Sequence, residues 1–194
     1  MTFKPMVNID VLQVPPEKQN DRRFLALYGQ LRMVFSSAIY VEAFCVHEAA
    51  HGIYFLRAGA TKLIFGGPTI SYDSGQDTFT ANAASITAVG YSDEFLGRIG
   101  IREWIFAMAR GYVAGGVAAH ILAKVPDDGG EEDHRTFLAL CNAICAQTTE
   151  FTVDRPAAWK QAQDEVARDL RIPSLRTEVH QRAHEFKAWL QKEL

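Results

Sequence analysis

The octapeptide CVHEAAHG, residues 45–52, places two histidines and a glutamate inside an otherwise apolar stretch. Apolar residues recur there at helical spacing, a serine pair at 36–37 precedes them, and Gly59 is suited to end a helix. The sequence therefore predicts a buried helix over 38–57, separate from an earlier helix. Any fold of this chain must accommodate these two histidines and this glutamate on that helix.

These three side chains have the spacing of a metal site. On a helix, His47 and His51 project from one face about one turn apart, so both imidazoles can reach one metal ion. Glu48 lies beside the pair and can hold a water molecule on the metal rather than the metal itself. Zn²⁺ lowers the pKa of such a water to about 7, and a carboxylate can take its proton as it attacks a carbonyl. The motif H-E-x-x-H thus predicts two zinc ligands and a catalytic base; the alternative is a coincidental pair of core histidines.

A catalytic zinc usually has a third protein ligand, and spacing alone does not identify it. The continuation H-x-x-G-x-x-H is absent, because Tyr54 and Arg57 stand at its glycine and second histidine. His180 and His184 are also four residues apart, but Gln181 stands where the base would be, so we predict a solvated helix face for them. The remaining candidates for the third ligand all follow the motif: Glu94, Glu103, His120, Asp127, Asp128, Glu131, Glu132, Asp133 and His134.

The residues after the H-E-x-x-H helix predict a mainly α (α+β) fold. Residues 61–83 alternate β-formers with polar residues around the turn signals Gly66-Gly67-Pro68 and Asp73-Ser74-Gly75. This pattern predicts two or three short antiparallel strands, which form a small strand pair after the H-E-x-x-H helix. A later helix contains Gly111, Gly115 and Gly116. Each glycine costs a helix about 1 kcal/mol relative to alanine, so we expect another backbone to pass close by. Helices are predicted over about 93–99, 101–124, 131–147, 155–171 and 174–192.

Length, charge and composition narrow the class of protein. The 194 residues fit an N-terminal arm over 1–20 and a single domain over 21–194. A net charge of −3 provides no basic field for nucleic acid or anionic lipid. The N-terminal residues lack the pattern of a signal peptide, and the longest nearly uncharged run, 33–46, is too short to span a bilayer. We therefore expect a cytoplasmic protein without a membrane span, and reduced thiols at its three cysteines.

The motif order resembles a known family over about residues 38–147. The segments HEAAHG, a strand pair, a helix ending in GGVAAHILA, and GGEEDHRTFLAL follow one another as in the peptidase domain of FtsH-type ATP-dependent zinc proteases. The resemblance implies a zincin-like helical domain with His47 and His51 as ligands, Glu48 as catalytic base and Asp133 as third ligand. Glu132 and Glu131 are the alternatives to Asp133.

Some positions depart from the family pattern. Ala50 replaces a glycine of the family motif, and His120 replaces a glutamate after the segment that Gly115, Gly116, Ala118 and Ala119 match. The family's ATPase module and membrane anchor have no counterpart here, and the P-loop pattern GxxxxGK[ST] is absent.

Three functions are open at this point. The one favoured is a soluble zinc-dependent metalloendopeptidase acting on peptides or unfolded protein segments without its own ATPase. A separate ATPase or regulatory partner could open the substrate, and the sequence leaves its involvement open. Substrate could add as a strand to Thr69–Tyr72 or Thr78–Ala81. The alternative is a zinc-stabilised, catalytically weak binding or regulatory protein that keeps the fold, and a third is a helical scaffold without metal. The retained base Glu48 favours the enzyme.

Overall fold

The computed structural model describes residues 7–126, 130–147 and 152–192. Within these ranges the chain is mainly helical and carries two small antiparallel sheets of two strands each. In chain order the elements are a 3₁₀ turn (Pro16–Lys18), α1 (Arg22–Phe35), α2 (Ala38–Arg57), β1 (Ala60–Gly66), β2 (Thr69–Asp73), β3 (Thr78–Asn82), β4 (Ser85–Tyr91), α3 (Asp93–Ala118), a π-helical turn (Ala119–Ala123), α4 (Gly130–Gln147), α5 (Arg155–Asp169) and α6 (Pro173–Lys192).

Helix α2 occupies the centre of the molecule, with the bounds that the sequence predicts. The Ser37 hydroxyl caps its first turn, and Gly59 follows its end with a φ of 97°. The helix is apolar on most of its circumference because it packs on α3, α6 and the β1–β4 sheet. Helix α1 meets it at a bend of 89°. The H-E-x-x-H motif therefore lies on a helix whose position is set from several sides.

The strands differ from the prediction in number and pairing. Hairpin β2–β3 forms at the predicted turn, where Asp73 Oδ1 accepts hydrogen bonds from the backbone N–H groups of Gly75 and Gln76. Strand β1, however, pairs with β4, from Ala60 opposite Tyr91 to Gly66 opposite Ser85. The two or three strands predicted over residues 61–83 are confirmed as β1, β2 and β3, but the prediction missed β4, which follows them. It missed β4 because this strand pairs across the whole intervening hairpin, which no local turn signal marks.

Helix α3 packs along α2 and is broken near its start. Gly100 has a φ of 78° and a ψ of 160°, so the predicted division into a short and a long helical segment is confirmed. The glycines do have close neighbours, but these are side chains rather than the predicted backbone: a Cβ at Gly111 would lie 2.4 Å from the Phe55 ring of α2.

Among the described residues, the segment Asp93–Ala123 is long and apolar enough to cross a membrane by length and composition alone, with a mean hydropathy of 1.4. In the most apolar 18-residue stretch of this segment, 56% is buried inside the protein. A core helix of a globular protein meets the same criterion.

The described part of the N-terminal arm packs on the β2–β3 hairpin. The backbone N–H of Asp10 donates to the Pro68 carbonyl, and the N–H of Ile70 donates to the Asp10 carbonyl, at 2.9 and 2.8 Å. Ile9 and Val14 are buried against Phe24 of α1 and Ile70 of β2. The arm thus extends the small sheet and fixes its position beside α1.

Candidate metal centre

Three side chains from two distant segments converge beside α2. His47 and His51 come from α2, and Asp133 comes from the first turn of α4. The two imidazole Nε2 atoms are 2.8 Å apart, and Asp133 Oδ2 lies 3.2 Å from Nε2 of His51 and 3.7 Å from Nε2 of His47. Among the described residues, this is the group of histidine, cysteine and acidic side chains whose geometry can hold a metal ion.

Helix α3 supports this group with its backbone. The Gly111 carbonyl lies 2.7 Å from Nδ1 of His51, and since a carbonyl only accepts, Nδ1 carries the proton and donates it. Nε2 of His51 is then the nitrogen that faces Asp133. A hydrogen bond from Nδ1 to a backbone carbonyl is the arrangement that orients a metal-bound imidazole. A Cβ at Gly115 would lie 2.3 Å from Nε2 of His51 and 2.6 Å from Nε2 of His47. Gly115 therefore leaves the space in which the two imidazoles meet.

The protonation of the two histidines reflects their crowding. Burial lowers the pKa of His47, and the neighbouring His51 acts in the same direction. Burial also opposes protonation of His51, but its hydrogen bond to Asp133 and the charge of that carboxylate outweigh burial and raise its pKa. Nε2 of His47, Nε2 of His51 and Oδ2 of Asp133 thus converge on the proton that His51 carries. A metal ion can take the place of that proton, because metal ligands must be deprotonated to bind.

Glu48 stands beside this group and is tied to the sheet. Its Oε2 accepts a hydrogen bond of 2.8 Å from the backbone N–H of Ile86, in β4. Burial raises the pKa of the Glu48 carboxyl, while the charge of His51 and the Ile86 hydrogen bond oppose that rise. The sheet therefore holds one carboxylate oxygen in place, and Glu48 is outside the set of converging ligand atoms.

The other candidate ligands do not join the group. Glu132 is exposed and pairs with Arg135 at 3.0 Å. Glu131, His134 and His120 line a neighbouring cleft instead. Asp127 and Asp128 lie outside the described residues. Glu94 and Glu103 are not part of the converging group, and His180 and His184 are exposed on α6, as predicted.

A cleft of about 870 Å³ opens next to the group, and Asp133 belongs to both. We call it the α3–α5 cleft. The sequence analysis did not identify the aromatic side chains of this cleft, Tyr112 and Trp159. The one feature of the sequence that could have indicated them is a tryptophan, Trp159, on the otherwise polar helix α5. The lining residues are Tyr112, Val113, Gly116, Val117, His120, Ile121, Gly130, Glu131, Asp133, His134, Trp159, Gln163, Asp164 and Ala167.

No family model matches this chain, and no curated protein or solved structure matches it either. The resemblance to FtsH-type peptidases therefore depends on the sequence motifs, and family membership stays a prediction.

Proposed function

We propose that this protein is a zinc-dependent metalloendopeptidase that hydrolyses peptide bonds, with Glu48 as the catalytic base. The observation that carries the proposal is the convergence of Asp133 on His47 and His51, beside a glutamate at the position of the base. These 194 residues contain no P-loop motif, so any ATP-driven unfolding of substrate would come from outside them.

The donor atoms suit zinc. Two imidazole nitrogens and one carboxylate oxygen form a catalytic zinc set, whereas magnesium and calcium prefer oxygen ligands alone. Zinc–ligand bonds of about 2.0–2.1 Å in a tetrahedron imply ligand atoms about 3.3 Å apart. The separations of 2.8, 3.2 and 3.7 Å bracket that value. Ferrous iron also binds two histidines and a carboxylate, and it is Glu48 beside the ligands that favours a hydrolytic metal.

The side chains divide the work of hydrolysis. Bound zinc would act as a Lewis acid that polarises the substrate carbonyl and makes a water more acidic. Glu48 then accepts the proton of the attacking water and delivers it to the leaving amine. Burial raises the pKa of its carboxyl, which favours uptake of a proton by this group. Since the Ile86 N–H holds Oε2, the other oxygen, Oε1, is the one that takes the proton.

One observation favours a second function. The hydrogen bond from Ile86 to Glu48 joins β4 to α2, so the glutamate has a structural role even without chemistry. A zinc-stabilised binding or regulatory protein would keep Glu48 for that reason. Both functions share the metal and differ in turnover.

The test combines metal content with cleavage. Elemental analysis of purified wild-type protein should find about one zinc per chain, strongly reduced in His47→Ala and Asp133→Ala. Glu48→Gln retains an oxygen for the Ile86 N–H, so it should fold and keep zinc while losing peptide hydrolysis. Full hydrolysis by Glu48→Gln would refute the mechanism. Zinc without cleavage of unfolded protein in the wild type would favour the binding protein, and absence of metal after incubation with zinc would refute both.

A further inference from the structure

The α3–α5 cleft carries an inference about substrate that rests on the proposed function. We infer that it binds a lysine or arginine side chain of the peptide, close to the bond that is cleaved. Its volume of about 870 Å³ is in the range of ligand-binding clefts. Because Asp133 lines the cleft and also belongs to the metal group, a side chain in the cleft lies close to the reacting carbonyl.

The charge of the lining favours a cation. Three carboxylates, Glu131, Asp133 and Asp164, line the cleft, and no lysine or arginine is among its described lining residues. Asp164 pairs with Lys160 at 2.6 Å, and Asp133 is shared with the histidines. Within the described part of the chain, no ion pair or hydrogen bond engages the exposed Glu131 side chain. Glu131 is therefore the carboxylate that remains available to a ligand.

The remaining lining suits a long side chain with a charged end. The Trp159 ring packs at a tilt against His134 and Phe137, with 4.6 and 5.5 Å between ring centres, so its position is fixed from two sides. A tryptophan face attracts ammonium and guanidinium groups, and the half-buried Val117 and Ile121 offer apolar surface to a methylene stem. Lysine and arginine match this combination of apolar wall, aromatic face and carboxylate.

Binding to the zinc-loaded Glu48→Gln variant tests the inference without turnover. The immobilised variant is incubated with a chymotryptic digest of a denatured protein, and the retained peptides are identified by mass spectrometry. Retained peptides should be enriched in lysine and arginine over the input, and synthetic peptides with norleucine in place of the selected lysine should bind about tenfold more weakly.

A charge reversal with a matched control locates the effect. Glu131→Lys and the milder Glu131→Gln, added to Glu48→Gln, should remove the enrichment. Glu132→Lys makes the same charge change one residue away, outside the cleft, and should preserve the enrichment. Both sites are exposed, so the variants should fold, and metal content checks the centre in each.

The two proposals fail separately. If basic peptides are retained but the wild type cleaves none of them, the peptidase proposal fails and the cleft assignment stands. If Glu48-dependent cleavage occurs without basic preference, the cleft assignment fails alone. Retention of apolar peptides instead, retention of none, or an enrichment that survives Glu131→Lys would also overturn it.

Discussion

Gly115→Ala is the most direct test of how α3 shapes the metal group. The added Cβ would lie 2.3 Å from Nε2 of His51 and 2.6 Å from Nε2 of His47, whereas ordinary contacts begin at 3.4 Å. The overlap is thus about 1 Å on rings that cannot simply move aside. His51 is held by the Gly111 carbonyl, and both rings are anchored on a helix packed in the core.

The energies can be estimated from general values. Overpacking of a core costs about 1–3 kcal/mol, and replacing a helical glycine by alanine returns about 1 kcal/mol. The net loss of unfolding free energy is therefore about 0–2 kcal/mol, which leaves the protein folded. Metal affinity should suffer more, because both imidazole nitrogens must move from their positions. We expect a loss of about 10–100-fold, similar to the loss of an orienting contact to a ligand.

Gly97→Ala provides the control. Gly97 lies in the short segment of α3 before the break at Gly100, and no atom lies within 4 Å of the position that an added Cβ would take. Alanine there should stabilise the helix by about 0.5–1 kcal/mol and leave metal affinity unchanged. The assays are competition with a chromophoric chelator for zinc affinity and urea unfolding of the metal-free protein for stability. If Gly115→Ala binds zinc as tightly as the wild type, the imidazoles do not meet at this glycine and the geometry of the centre is wrong.

Two further predictions concern acidity and the core. Burial opposes protonation of His51, but its hydrogen bond to Asp133 outweighs burial and raises its pKa. Protons therefore compete with zinc for this imidazole, and the apparent zinc affinity should fall as the pH drops from about 8 to 6. Competition titrations measure this, and a constant affinity would exclude the histidines as ligands. Phe186 of α6 is fully buried, and its ring packs against Phe44 of α2 and Phe65 of β1. Phe186→Ala should therefore cost about 3–5 kcal/mol in urea unfolding, and a loss below about 1 kcal/mol would contradict the packing of α6 on α2.

Local order was readable from the sequence. The bounds of α2, the division before it and the turn at Asp73 follow from apolar spacing, helix caps and turn residues, which act between near neighbours. The same is true of the ligand pair, because His47 and His51 are neighbours on any helix. The glycines of α3 also indicated a close neighbour, although not which one.

Long-range pairing was decided by the tertiary structure. β4 forms because β1 offers it a partner across the β2–β3 hairpin, and local patterns carry no record of that partner. Residue spacing did not decide which of many acidic residues is the third ligand, and only the family resemblance selected Asp133. In the structure, the packing of α4 against α3 brings the Asp133 carboxylate to the histidines. Likewise, the α3–α5 cleft exists only where α3, α4 and α5 meet. The sequence determined which side chains α2 carries, whereas packing determined what those side chains face, because contacts between distant segments depend on the whole fold.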